Sequence, residues 1–575
     1  MFKTLPQDCR EFMDWDWEQI VPYADDLMQR ELSADTIDIW LADWSRLASL
    51  ITESFNRLRI RTTTHTNDEE GQARFKNYSE NIMPNARTFE QRMKESLLSS
   101  GLEPEGFAIP LRKMRVDAAI FREENLPLQT EIDQLRTELL KNFGARTIDW
   151  DGDELTPEQV IAKLAEPDRK IREQAWRLLS ARAAQDREAI DAIWVQLLDL
   201  RVQIARNADF DDYRAFRWQE LGRFDYTPDD CMSFHAAIEE VVVPSVSRIS
   251  ERRKARLGVE TLRVWDDFRR MRPDTLGRPP LTPFQSVEEL NEKIERIFTR
   301  VDPVLGGYYH TMHEEGLLDL GSRTHKSGGA YMEQFPASKN SFIFSNVVGT
   351  HSDVQTLLHE GGHAFHAYET AHWPHHFQFM LEHIPMEFLE VASMAMELLA
   401  APYLTTDQGG FYSEDEAARA LVEHLEHRLG FWPYMAVVDA FQHWIYENPD
   451  TAHDSFQCDE VWSTLHRRYI PHLDWSGIED TLGSYWQQQI HILAFPFYYI
   501  EYGLARLGAI QIWANALKDQ AGAIQAYRKA LSLGNTASLP DLYRAAGAKF
   551  AFDAETLNQA VELIEHTIYE LDGVE

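Results

Sequence analysis

Along the first 200 residues, apolar side chains recur at every third or fourth position. Trp40, Trp44, Leu47, Ile51, Phe55 and Leu58 form one such stripe, with polar residues between them. This period places them on one face of an amphipathic helix, and so aromatic a face predicts a core contact. Residues 130–143 and 186–207 repeat the pattern. Between them, Thr156-Pro157-Glu158-Gln159 predicts a helix start, with threonine as N-cap, proline in the first turn and glutamine reaching back. The acidic run Asp149-Trp150-Asp151-Gly152-Asp153-Glu154 has its glycine too early for a calcium loop of the EF-hand type, and reads as a solvated loop.

Residues 267–285 carry Pro273, Gly277, Pro279, Pro280 and Pro283, which predicts a long surface loop, a candidate hinge. Ser286-Val287-Glu288-Glu289 then opens another helix with a capping box. Near residue 320 the pattern changes. Gly321, Gly328 and Gly329 interrupt the helices, and Ser341–Val348 is a short apolar, β-prone run that predicts a strand. An exposed edge on that strand would accept an extended peptide as one further strand. Ser352-Asp353-Val354-Gln355 reads as a capping box for the helix that follows. Pro385 suits the first turn of another helix, and from about 411 to 573 the period is helical again. The fold expected is therefore mostly α, a large multi-helix body with a small β-sheet. Its length of 575 residues exceeds one ordinary core. The division expected is an N-terminal helical lobe over 1–200 and a second domain over 201–575.

Charge narrows the partners. The chain holds 93 acidic and 57 basic residues, a net charge of −36, which repels nucleic acid and anionic membranes. There is no apolar run of about 18 residues to span a membrane, and the N-terminus lacks the basic-then-apolar pattern of a signal peptide. Cys9, Cys231 and Cys458 are far apart with no C-x-x-C spacing, as expected of a chain in a reducing cytoplasm. The oligomeric state is not encoded in any pattern found.

The chemistry concentrates in Leu357-Leu358-His359-Glu360-Gly361-Gly362-His363-Ala364-Phe365-His366. Histidines four apart lie one turn above each other on a helix and can reach one zinc ion. Glu360, between them, is placed to take a proton from a water that such an ion activates. Gly361 and Gly362 each cost about 1 kcal/mol relative to alanine mid-helix, which predicts another backbone close by, and the 341–348 strand is the candidate. A third ligand must come from downstream. Glu369, Glu382, Glu387, Glu390 and Glu397 are candidates, the last three on one helical stripe beside Ser393. The metzincin pattern is excluded, because it requires glycine at 366 and histidine at 369 where this chain has His366 and Glu369. Carboxylates on an otherwise apolar helix are expensive to bury without a cation. The remaining histidines nearby, His366, His372, His375, His376 and His383, read as supporting, capping or exposed groups.

Gly329-Ala330-Tyr331, the Phe342–Gly349 strand, the Thr356–His366 helix and Glu387-Phe388-Leu389-Glu390-Val391-Ala392-Ser393, in that order, resemble the thimet-oligopeptidase and oligoendopeptidase F family of zinc metallopeptidases. The resemblance spans about 200 to 575. It implies one Zn2+ per chain held by His359, His363 and Glu390, with Glu397 supporting the site. It also implies a helical shell around a deep substrate channel between lobes. A later segment, His491-Ile492-Leu493-Ala494-Phe495-Pro496-Phe497-Tyr498-Tyr499-Ile500-Glu501-Tyr502-Gly503, resembles the family's histidine and paired tyrosines, departing from many relatives at Gly503. Tyr499 and Tyr502 would face the same way on a helix, and a phenol can donate to an oxyanion. The activity implied is internal cleavage of short peptides, with Glu360 as base and Tyr502, with His491 or Tyr499, at the oxyanion. The alternatives are a related helical zinc carboxypeptidase and a zinc-bearing scaffold that binds peptides without cutting them.

Overall fold

The structure is a computed structural model, and it describes residues 2–268 and 271–572. Residues 269 and 270, within the proline-bearing loop, lie outside it. The fold is mostly α-helical with two small sheets. The chain forms two compact units. Unit 1 comprises Met1–Ala118, Leu281–Ala420 and Ala505–Phe550; unit 2 comprises Ala119–Pro280, Leu421–Leu504 and Ala551–Glu575. Leu200 and Arg201, where the sequence reading divides the chain, lie within one helix of unit 2, Arg187–Asn207.

In unit 1 the aromatic stripe is a helix, Ile37–Thr64, and Trp40, Trp44, Leu47, Ile51 and Leu58 are buried in one core cluster. Phe55 packs at its margin. Trp40 donates its indole N–H to the Leu27 carbonyl at 3.0 Å, so the ring is buried without stranding its donor. The three-stranded sheet of this unit has Leu318–Gly321 and Tyr331–Phe335 on its edges and Asn340–Val347 in the middle. Asn340–Val347 runs parallel to Leu318–Gly321 and antiparallel to Tyr331–Phe335, with Met332 opposite Ile343. The expected strand therefore exists, but its edges are both occupied. Its near-continuous apolar run marks a strand covered on both faces, and that same burial is what gives it two neighbours. The outer edges of the sheet belong to Leu318–Gly321 and Tyr331–Phe335.

The helix after this strand, His351–Thr370, begins two residues earlier than the sequence suggests. Thr350, not Ser352, is the N-cap; its hydroxyl accepts from the Asp353 N–H while the Asp353 carboxylate accepts from the Thr350 N–H. Asp353 also accepts from the N–H groups of Val348 and Gly349, so it gathers the strand exit and the helix start on one carboxylate. An aspartate can close a capping box as well as glutamine can, and the extra donors decide the register.

In unit 2 the acidic run at 149–154 is not an open loop. Ile148–Trp150 and Asp153–Leu155 pair as an antiparallel hairpin. Asp151 (φ +55°) and Gly152 (φ +98°) supply the left-handed turn that an Asp-Gly pair favours. Thr156 caps the next helix with Gln159 as expected. The loop from residue 267 to 285 contains neither helix nor strand among its described residues. No helix among the described residues is long and apolar enough to cross a membrane.

Candidate metal centre

Two helices of unit 1 build the site. His351–Thr370, the motif helix, packs along Met386–Leu399, the facing helix. The glycines show how close they come. A Cβ on Gly362 would lie 2.6 Å from both the Ala392 carbonyl oxygen and the Ser393 Cα. The passing backbone is thus the facing helix, not the 341–348 strand. Gly361 makes room for something else, the Phe298 ring, whose Cζ would be 2.5 Å from an added Cβ. A helix stripped of side chains at this point lets its neighbour approach to backbone contact, and short metal ligands can then meet across the gap.

The ligand atoms of His359, His363 and Glu390 all lie within 4.8 Å of one another. His359 Nε2 is 3.5 Å from Glu390 Oε2. Donors bound at 2.0–2.2 Å in a tetrahedron are separated by about 3.3–3.6 Å, so the spacing fits one zinc-sized ion. On the other side of its ring, His359 meets Glu397 Oε1 through Nδ1 at 2.8 Å. A proton on Nδ1 donated to that carboxylate leaves the Nε2 lone pair for a metal. Glu390 is held in turn by Ser393, whose hydroxyl donates to its Oε2 at 3.2 Å. Glu387 is buried on the same helix but is not among the clustered ligand atoms. Of the other candidates, Glu369 pairs with Arg528 at 2.7 Å.

The electrostatics call for a cation. Glu360, Glu390 and Glu397 surround His359. Burial opposes its charge, but Glu397, Glu390 and Glu360 prevail and push its imidazole up to about 9. Burial, then the His359 charge, hold His363 well below the ordinary imidazole range, so this ring is neutral with a lone pair to give. Burial raises the Glu390 carboxyl. Burial also lifts Glu360 to about 7, against the pull of His359 and a backbone hydrogen bond from Met332. A divalent cation among these donors would replace a proton as the neutralising charge. The residues present therefore fit zinc: two neutral-capable imidazoles, one carboxylate and a hydrogen-bonded acceptor behind the first histidine. Met332, on the edge strand Tyr331–Phe335, is a contributor that sequence reading missed. A main-chain donor leaves no residue-type signature.

A sequence model of the M3 peptidase family matches residues 163–562. The chain belongs to peptidase family M3. It is 25% identical over 279 residues to oligopeptidase PepF of Bacillus subtilis (strain 168); the match covers 47% of this chain and spans 39% of PepF. Solved structures resemble it along its whole length. PZ peptidase A, solved with an inhibitor, superposes with a TM-score of 0.85 at 25% identity over 100% of both chains. A chain assigned to oligoendopeptidase F does so with a TM-score of 0.84 at 26% identity, over 100% of this chain and 99% of the other.

Other histidines of unit 1 are not among the clustered ligand atoms. His366 is fully buried against the Phe388 ring, and burial pushes it down to about 3. His376 is buried, and His372 hydrogen-bonds the Glu369 carbonyl oxygen through Nδ1 at 2.8 Å.

The tyrosine segment forms a cluster of its own in unit 2. The His491 ring lies 4.9 Å from Tyr499 and 6.0 Å from Tyr502, and Tyr499 and Tyr502 are 5.9 Å apart. The side-chain amide of Gln489 meets His491 Nδ1 at 2.7 Å. Tyr499 is buried, whereas His491, Tyr498 and Tyr502 keep some solvent exposure. Just before the helix Tyr499–Ala516, Phe497 adopts φ +64°, a left-handed backbone that costs a non-glycine residue about 1–2 kcal/mol. Its N–H donates to Gln442 at 2.7 Å and its carbonyl accepts from Arg223, which hold the turn that aims Tyr498 and Tyr499. Gly503, the departure from many relatives, has a local cause: a Cβ there would strike the Met435 Cε, and the Gly503 carbonyl accepts the Trp432 indole N–H at 2.9 Å.

Proposed function

We propose that this chain is a zinc-dependent endopeptidase that hydrolyses internal bonds of short oligopeptides in the cytoplasm. The observation that carries the reading is the convergence of His359, His363 and Glu390 beside the buried Glu360, in a chain of a peptidase family. When bound, zinc supplies a Lewis acid that polarises the scissile carbonyl and lowers the pKa of water toward about 7. His359 and His363 offer neutral ring nitrogens, Glu390 offers a carboxylate, and Glu397 keeps the His359 ring in the productive tautomer. Glu360 Oε takes the proton of the attacking water as its oxygen adds to the carbonyl carbon. It then passes that proton to the departing nitrogen as the C–N bond breaks, leaving an amine and a carboxylic acid that gives up its own proton to solvent. A group poised near neutral pH is suited to both transfers.

The phenol of Tyr502, with His491 or Tyr499, donates to the oxyanion in this reading, as the family resemblance implies. Tyr499 is the weaker of the two phenols because its ring is buried. The substrate is proposed to lie extended along the outer edge of Tyr331–Phe335. The backbone hydrogen bond between Met332 and Glu360 supports this placement, because it sets the edge beside the base. A helical shell around a channel that excludes folded proteins is proposed, as the family resemblance implies.

The deciding experiment is a ladder of quenched peptides of increasing length, incubated with and without a chelator, with product masses read from one defined sequence. Chelator-sensitive internal cuts are expected. Release of single C-terminal residues would make this a carboxypeptidase, and intact peptide at saturating zinc would leave only a binding scaffold.

A further inference from the structure

We propose that Cys231, Asp439 and His443 form a second metal site in unit 2, a closed one suited to zinc or a similar thiophilic divalent ion. Two helices again supply the side chains. Cys231 and His235 are four apart on Pro228–Ala237, and Asp439 and His443 are four apart on Glu414–Glu447. Each pair shares a face of its helix. Side chains projecting inward from facing helices are how helical bundles build metal sites in their cores.

The atoms converge. The Cys231 thiol, an Asp439 carboxylate oxygen and a His443 ring nitrogen all lie within 4.8 Å of one another. Asp439 Oδ2 is 2.9 Å from His235 Nε2 and 3.3 Å from His443 Nε2. The first contact is a hydrogen bond. The second has the distance but not the alignment, and His443 Nε2 is left without a hydrogen-bond partner. Asp439 Oδ1 and His235 Nδ1 are likewise buried without one. Cys231 and Asp439 are 0% exposed, His443 1% and His235 3%. A buried polar atom left unsatisfied costs about 1–3 kcal/mol. Several in one place point to a ligand that satisfies them together.

The donor set selects the ion. A thiolate among imidazole and carboxylate suits zinc and disfavours calcium and magnesium, which take oxygen ligands. Complete burial fits a structural site rather than a catalytic one. His235 donates to Asp439 and orients it as an outer partner. Arg214 Nη1 lies 3.3 Å from His443 Nδ1 and is also paired with Glu447. Metal on Nε2 places a proton on Nδ1, so Arg214 keeps Glu447 as its partner in the loaded state. Binding releases the Cys231 thiol proton to solvent.

The test uses the full chain, stripped by chelator and titrated with Co2+ and separately with Zn2+. No cysteine belongs to the His359–His363–Glu390 site, so a thiolate-to-cobalt charge-transfer band in the near ultraviolet reports the second site alone. Two ions per chain and that band are expected. Cys231→Ser should remove the band and lower the count from two to one. A His359→Ala/His363→Ala variant should keep the band and lose the other ion, which separates this proposal from the catalytic reading and does not require the Cys231 variant to fold. One ion per chain with no band at excess Co2+ would overturn the proposal. So would a band that survives Cys231→Ser, since it would belong to Cys9 or Cys458.

Discussion

Two pairs of helices in this chain bring metal-type side chains together, and they differ in what else can reach them. At His359, His363 and Glu390 both histidines retain partial exposure, and the His359 side chain is 26% accessible. At Cys231, Asp439 and His443 every member is buried. The first pair carries surplus acid: Glu360 and Glu397 crowd the same histidine that Glu390 faces. The second carries a thiol, and His235 serves the carboxylate rather than a substrate. The same spacing of four residues on a helix is thus proposed to serve two ends. An accessible face with a base near neutrality leaves room for a reacting molecule, while a sealed set of donors can only hold two helices together.

The comparison can be broken most decisively at Glu390. Glu390→Ala should lose bound zinc and with it all turnover, while Glu387→Ala keeps both; metal analysis showing the reverse would move the third ligand. Glu360→Gln should retain zinc yet slow hydrolysis by about 10²–10⁴-fold, the range for a lost general base. Turnover at the parent rate would remove Glu360 from the mechanism and leave the open site no different in kind from the closed one. For Tyr502→Phe a fall in kcat of about 10²–10³-fold is expected with zinc content unchanged, as for loss of one oxyanion donor. An unaffected kcat would make Tyr502 packing only. Glu397→Ala should weaken zinc binding by about 10–100-fold, read by competition with a chelator of known affinity. The smallest effect is structural. Gly362→Ala should destabilise unit 1 by about 1–3 kcal/mol in denaturant titrations, because its Cβ meets the backbone of the facing helix. An unchanged midpoint would mean that the two helices of the open site are not held at backbone contact.

Much of this was legible in the order of residues, for reasons that are local. The aromatic stripe at 40–58, the cap at Thr156, the strand near 341–348 and the helix bearing His359 and His363 are each written in a few consecutive residues, where periodicity and capping act. The Asp-Gly turn at 151–152 was equally local, but the surrounding acid masked a short hairpin. Thr350 displaced Ser352 as the cap because Asp353 had three backbone donors to satisfy, two of them from the strand exit.

What the sequence determined alone is the pair of histidines and the glutamate between them, since a helix places residues four apart on one face whatever surrounds it. Likeness to a family also pointed to Glu390 as the proposed third ligand. Only the tertiary structure decided which backbone the glycines admit. It also put Asn340–Val347 in the middle of its sheet and left the edges to Leu318–Gly321 and Tyr331–Phe335. The Cys231 and Asp439 pairs stood in plain view at the same spacing, yet 208 residues separate Cys231 from Asp439 (439 − 231). Nothing local couples positions so distant. Their meeting depends on how two helices pack, and packing is settled by the whole core rather than by either segment.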